Sequence, residues 1–246
     1  MNIAVLPRFK AGTFEGVWNG NGYSAGGYLV EMAKYFRIGY TVITTEYDFE
    51  KVCSMCDGLI IPGSPINIDP TYWGGQAFDP PNVADEYALD ALVMDCFARQ
   101  NKPMFGICGG IQALNVFFGG TLNQVANLRD ASVSEKHAET IEIQDVREQP
   151  LSYNIHNITV EKDSFVYDIF KAEKAVVNTY HGWAVEKVAP GFRVVARSDD
   201  GIVEAIESKE KRVFGTQWHP ELAFRTGDDV EKRFFENFIR CCEQSR

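Results

Sequence analysis

Residues 102–122, KPMFGICGGIQALNVFFGGTL, place one cysteine between an apolar run and a segment of helical periodicity, with glycine two positions before it and two after it. A strand that passes directly into a helix through Gly106-Ile107-Cys108-Gly109-Gly110 must turn so tightly that side chains at the flanking positions have no room. Such a turn lifts the Cys108 sulfur out of the sheet and leaves the Gly109 N–H facing whatever the sulfur attacks. It also aims the positive end of the following helix at the sulfur, which favours thiolate. By itself G-x-C-x-G is a weak pattern, equally compatible with a buried cysteine beside a turn.

The surrounding segments carry the same architecture. Residues 2–7, 40–46 and 58–63 read as strands, 24–36 as a helix with Tyr28, Met32 and Tyr35 on one face, and 83–100 as a helix with Tyr87, Ala91, Met94 and Ala98 in register. With a strand at 102–107 and a helix from Gly109 to Phe118, this βαβαβ order predicts an α/β fold. Its sheet is doubly wound, mostly parallel and flanked by helices, and its ligands bind at the carboxyl ends of the strands. After Gly120, shorter runs at 138–144, 156–161, 174–178, 192–197, 202–207 and 212–217 predict added antiparallel strands. A closing helix from about Asp228 to Cys241, opened by a capping box in Thr226-Gly227-Asp228-Asp229, turns Val230, Phe234 and Phe238 inward. No repeat, low-complexity tract or linker interrupts the 246 residues, so one domain, 1–246, is expected. The loop 64–82, rich in proline, glycine and aromatic residues, suits a lip around a site.

Composition narrows the partners. A net charge of −10 leaves no basic excess to displace counterions, which argues against nucleic acid or an anionic membrane and for a small solvated substrate. The apolar runs fall well short of the roughly 20 residues a membrane helix needs, and MNIAVLPRF enters a strand at once without a signal-peptide pattern. A cytoplasmic protein is therefore expected, and in that compartment the six cysteines are free thiols rather than a disulfide framework. Cys53-x-x-Cys56 precedes an expected strand instead of opening a helix and has no second pair, so it is read as neither redox nor zinc site. No phosphate-binding glycine loop of the Walker type is present.

A cysteine nucleophile needs a base, and the chain has four histidines, His137, His156, His181 and His219. His219 follows the strand RVFGTQW, which should end at the same edge of the sheet as Cys108, and it opens His219-Pro220-Glu221. Pro220 biases His219 toward extended geometry, where residues two apart share a side, so Glu221 can reach the imidazole and orient it. Alone, HPE fits a surface turn; with Cys108 in the same chain it fits a catalytic arrangement. The acid here follows the histidine by two residues, which is not the order of an α/β-hydrolase.

The ordered stretches DGLIIPGSPINIDPTYWG, KPMFGICGGIQALNVFFGGTL, VNTYHGWAV, DGIVEAIE and VFGTQWHPE resemble the class I glutamine amidotransferase-like superfamily, most closely its γ-glutamyl hydrolase branch. The resemblance implies a flavodoxin-like sheet and a Cys108, His219, Glu221 triad. It further implies an oxyanion hole from the N–H groups of Gly63 and Gly109, with Gln112, Asn178 and His181 holding the glutamyl α-amino and α-carboxylate groups. The implied activity is cysteine-dependent hydrolysis of a γ-glutamyl amide through a γ-glutamyl thioester, on a small-molecule γ-glutamyl substrate, with no metal or organic cofactor. A homodimer is compatible with it. The alternatives are a glutaminase module supplying ammonia to a separate synthetase partner, and a binding domain that keeps the fold without turnover. The chain departs from the branch in two places: Gly109 stands where arginine usually follows the nucleophile, and Ala84-Asp85 stands in place of an Arg-Asp pair. These departures bear on the choice of substrate, and the amine on the far side of the bond is left open.

Overall fold

Nine strands of this chain pair into one mixed sheet, in a computed structural model that describes residues 1–14, 18–24, 28–43, 49–132, 137 and 154–245. In chain order the elements are β1 (Asn2–Val5), β2 (Arg8–Phe14), β3 (Trp18–Ser24), α1 (Tyr28–Phe36), β4 (Gly39–Val42), α2 (Phe49–Met55), β5 (Gly58–Ile61), α3 (Glu86–Arg99), β6 (Met104–Ile107) and α4 (Gly109–Phe117). There follow β7 (Thr121–Gln124), α5 (Val125–Leu128), β8 (Asn154–Val160), α6 (Phe165–Phe170), β9 (Lys174–Thr179), β10 (Trp183–Lys187), β11 (Phe192–Ser198), β12 (Val203–Ser208), β13 (Val213–Thr216), α7 (Ala223–Thr226) and α8 (Asp229–Glu243).

The sheet runs β4-β1-β5-β6-β13-β12-β11-β8-β9. Its first five strands are parallel and the rest are joined antiparallel. Burial explains the two halves. GLII in β5 and MFGI in β6 are buried at every position, as strands covered on both faces must be, whereas NIHNITV in β8 alternates buried and exposed. On one face α8 lays Phe234, Phe235, Phe238 and Cys242 against Phe105 and Phe214. An added Cβ on Gly58 would stand 2.4 Å from Cys242 Sγ, so the helix rests directly on β5. On the other face Tyr87, Val93, Met94 and Phe97 of α3 pack with Ile111 and Leu114 of α4. Each such aromatic or aliphatic side chain contributes roughly 1.5–3 kcal/mol on burial.

The expected doubly wound sheet with appended antiparallel strands is therefore present, with differences of detail. Helix α8 is capped by Asp228, whose side chain accepts from the Val230 and Glu231 amides, and Thr226 instead ends α7, so the box expected at 226–229 is not formed. The stretch 8–24 folds into a hairpin, β2 on β3. A second small pair, β7 with β10, lies outside the main sheet. The strand expected at 138–144 lies outside the described residues. Among the described residues, no helix is long and apolar enough to cross a membrane.

Candidate active site

Cys108 is the N-cap of α4 and has φ 52° and ψ −108°, a strained conformation for an L-residue that persists only where its surroundings impose it. The glycines impose it here. A Cβ on Gly106 would stand 2.4 Å from Gly110 O, and one on Gly110 would stand 2.0 Å from Ile61 O, so neither position accepts a side chain. The elbow is anchored sideways by the Cys108 amide, which donates to Thr216 O at 2.8 Å.

That bond also explains how His219 arrives. Strands β6 and β13 are paired parallel with Ile107 opposite Thr216, so the residues just past their ends emerge together. His219 Nδ1 lies 2.7 Å from Glu221 Oε1. The carboxylate reaches the ring through a 3-10 turn over Pro220–Leu222 rather than along an extended segment, a correction to the expected geometry that leaves the pairing intact. Burial opposes charge on His219, but Glu221 and a hydrogen bond with Cys108 outweigh it and raise the imidazole pKa well above its ordinary value.

The segment carrying Gly63 closes over both residues. A Cβ on Gly63 would stand 3.1 Å from His219 Cε1 and 3.3 Å from Cys108 Cβ, and one on Gly109 would stand 3.0 Å from the Ser64 amide nitrogen. A side chain at either position would push its neighbours back by a few tenths of an ångström, so glycine favours this close approach. Two buried ionic groups brace this segment. Arg8 Nε donates to Pro62 O at 3.0 Å while its Nη1 pairs with Asp90 at 2.9 Å, and Glu86 accepts from Ser64 Oγ and the Phe9 amide. In this chain the support beside Gly109 thus comes from Arg8, Glu86 and Asp90. Asp85 instead caps α3, accepting from the Ala88 amide at 3.2 Å and from Tyr72 Oη at 2.5 Å.

A cavity of about 600 Å³ opens over these groups, with Arg8, Gly63, Cys108, Gln112, Trp183 and His219 in its wall. Of the expected glutamyl-binding residues, Gln112 faces it, with Nε2 donating to Trp183 O at 2.7 Å and to Gln217 Oε1 at 3.2 Å. Asn178 is placed otherwise: both ends of its amide are engaged by the His219 backbone, and it is not among the residues of the cavity wall. His181 borders the cavity, but its ring turns inward, Nδ1 to Trp183 O at 3.0 Å and Nε2 to His137 Nδ1 at 3.1 Å, so its nitrogens serve an internal cluster.

Sequence reasoning misses Gln217, whose buried Nε2 lies 3.7 Å from the Cys108 sulfur. Its place two residues before His219, on an extended segment, is the signal that could find it. Arg8 and the Tyr180 carbonyl, 3.8 Å from Cys108 Sγ, are also missed, and nothing local in the sequence marks either. The arrangement offers a thiol, an imidazole backed by a carboxylate, and N–H groups at a helix start. Together these parts suit acyl transfer through a covalent intermediate.

Comparison with known proteins places this geometry in context. The Peptidase C26 profile matches residues 17–221. A Lactococcus lactis protein described as glutamine amidotransferase-like, YvdE, is 31% identical over 211 residues, covering 82% of each chain. The γ-glutamyl-γ-aminobutyrate hydrolase PuuD of Escherichia coli K12 is 30% identical over 197 residues, covering 79% of this chain and 75% of its own. A Thermoplasma acidophilum crystal structure, described as one component of a GMP synthase, superposes with a TM-score of 0.63 at 16% identity, covering 99% of this chain and 94% of the other. That likeness shows the fold alone.

Proposed function

The chain belongs to the Peptidase C26 family, and on that premise we propose that it is a free-standing γ-glutamyl hydrolase using Cys108, His219 and Glu221. The observation that carries the reading is the meeting of Cys108 with the His219–Glu221 pair in the wall of one cavity that Gly63 also lines. The Cys108 thiol passes its proton to His219 and the resulting thiolate attacks the γ-carbonyl, while the developing oxyanion is received by the Gly63 and Gly109 N–H groups, a stabilisation worth on the order of 3 kcal/mol per donor. His219, held as imidazolium by Glu221, gives its proton to the departing amine, leaving a γ-glutamyl thioester on Cys108. Water enters, His219 removes its proton, and attack on the thioester releases glutamate and restores the thiol. Gln112 at the cavity wall is positioned for the glutamyl head group, and Arg8, a cation in the same wall, adds a site for its α-carboxylate.

The test is glutamate release by the isolated protein from a panel of glutamine, γ-glutamyl-γ-aminobutyrate and a γ-glutamyl dipeptide. Release from a member other than glutamine is expected, abolished in Cys108→Ala. Turnover confined to glutamine and dependent on an added synthetase would assign the chain to ammonia supply instead.

A further inference from the structure

Behind the cavity wall, three of the chain's four histidines converge on one buried carboxylate. His137, His156 and Glu204 are 3%, 3% and 0% exposed, and their donor atoms all lie within 4.8 Å of one another. Glu204 Oε1 is 3.7 Å from His137 Nδ1, 3.5 Å from His156 Nε2 and 3.5 Å from His181 Nε2. These distances are long for hydrogen bonds. They are close to the spacing of about 3.3 Å between ligand atoms around a tetrahedral zinc ion bound at about 2.0–2.1 Å.

The outer atoms of the rings settle their tautomers. His137 Nε2 lies 2.9 and 3.1 Å from the two Asp200 oxygens, and a carboxylate only accepts, so Nε2 carries a hydrogen and, in the neutral ring, Nδ1 has the lone pair. Asp200 is itself held by Ser198 Oγ at 2.5 Å. His181 Nδ1 lies 3.0 Å from the Trp183 carbonyl, which likewise assigns its hydrogen to Nδ1 and its lone pair to Nε2. Two lone pairs then face one another across 3.1 Å, with the Glu204 carboxylate beside them. Neutral imidazoles repel in this arrangement unless a proton or a metal ion takes up the lone pairs. Rings whose outer N–H is fixed by a carboxylate or backbone carbonyl, with inner nitrogens converging, are oriented as metal-binding histidines are.

We infer that His137, His156 and Glu204, with His181 Nε2 adjoining as a fourth donor, form a buried binding site for a divalent ion of the zinc class. Three imidazoles and one carboxylate, without thiolate, suit zinc or cobalt rather than magnesium or calcium. The role is structural, because the donors lie behind the wall and the thiol chemistry does not require the ion. The His181 amide donates to His137 O at 2.8 Å, and the preceding Tyr180 carbonyl accepts from Cys108 Sγ. An ion here would therefore fix the wall beside the nucleophile. This inference stands independently of the γ-glutamyl reading.

The test uses the full chain, without an affinity tag, dialysed against zinc or cobalt chloride and then metal-free buffer. Elemental analysis is expected to give one ion per chain, and the cobalt form to show the visible bands of a tetrahedral nitrogen and oxygen site, displaced by zinc. Glu204→Gln and His156→Gln should each weaken binding by at least about 10-fold, while Cys53→Ser leaves it unchanged. Negligible retained metal, equal retention in the Glu204 and His156 variants, or a thiolate-to-cobalt charge-transfer band in the wild type would each overturn the site. The last readout needs no variant and so holds even where a substitution prevents folding. A retained proton between His137 and His181 in place of metal would appear as the first of these outcomes.

Discussion

Asn178 grips the backbone of His219 from both ends of its amide: Nδ2 donates to the His219 carbonyl at 3.0 Å, and Oδ1 accepts from the His219 N–H at 2.9 Å. The last residues of β9 thereby position a histidine that the chain reaches 41 residues later. Asn178→Ala should lower kcat by about 10- to 100-fold through misplacement of the imidazole, leave KM nearly unchanged, and cost about 1–3 kcal/mol of stability. Steady-state kinetics on a γ-glutamyl substrate checks this. A rise in KM with kcat intact would mean that Asn178 binds substrate after all.

Glu221 supports the charged form of His219, whose pKa burial alone would depress. In Glu221→Gln that support is lost and the pKa of His219 falls. In the proposed mechanism the imidazolium protonates the leaving amine, so the alkaline limb of the kcat/KM profile should move to lower pH in the variant. An unmoved limb would detach Glu221 from the histidine's chemistry.

Glu231, buried in the first turn of α8, accepts from Trp218 Nε1 at 3.1 Å, and burial pushes its pKa up to about 8 from an ordinary 4.5. Between those values the folded protein keeps a proton that the unfolded chain releases, so stability falls as pH rises through that window. Glu231→Gln retains an acceptor for Trp218 and removes the titration. Urea unfolding should give similar stabilities for both proteins near pH 4.5, with the variant ahead by pH 8 by on the order of 2–4 kcal/mol. A constant difference across that range would refute the assignment.

Gly110 has no room for a methyl group, since its Cβ would stand 2.0 Å from the Ile61 carbonyl oxygen. Gly110→Ala should cost more than about 3 kcal/mol or prevent folding. Gly191 has φ 84° but nothing within 4 Å of an added Cβ, and Gly191→Ala should cost only about 1 kcal/mol. Thermal denaturation of the two variants separates collision from backbone strain.

The elbow at Cys108 is legible in sequence because its steric demand falls on two positions at fixed offsets, and both are glycine. The parallel half of the sheet is legible for a similar reason, since strands buried on both faces read as unbroken apolar runs. The Glu221–His219 pairing is legible although the turn that makes it is not, because proximity of two residues survives several backbone routes. Contacts across long separations are not legible. Arg8 meets Asp90 across 82 residues, and a basic residue at a strand start reads as a solvated charge. The motif around Asn178 points to substrate, and only the folded backbone reveals that His219 consumes its amide. Nothing in the sequence joins His137 and His156 to His181, which the resemblance assigns to substrate; their convergence on Glu204 exists only in the folded chain.

The central claim is that Cys108 carries the acyl group, and acid-quenched peptide mapping during turnover of a γ-glutamyl anilide tests it most directly. The account predicts a glutamyl mass increment on the peptide containing Cys108, removable by hydroxylamine and absent in Cys108→Ala together with glutamate release. Glutamate release by a Cys108→Ala protein at the wild-type rate, with no modified cysteine in the wild type, would contradict it.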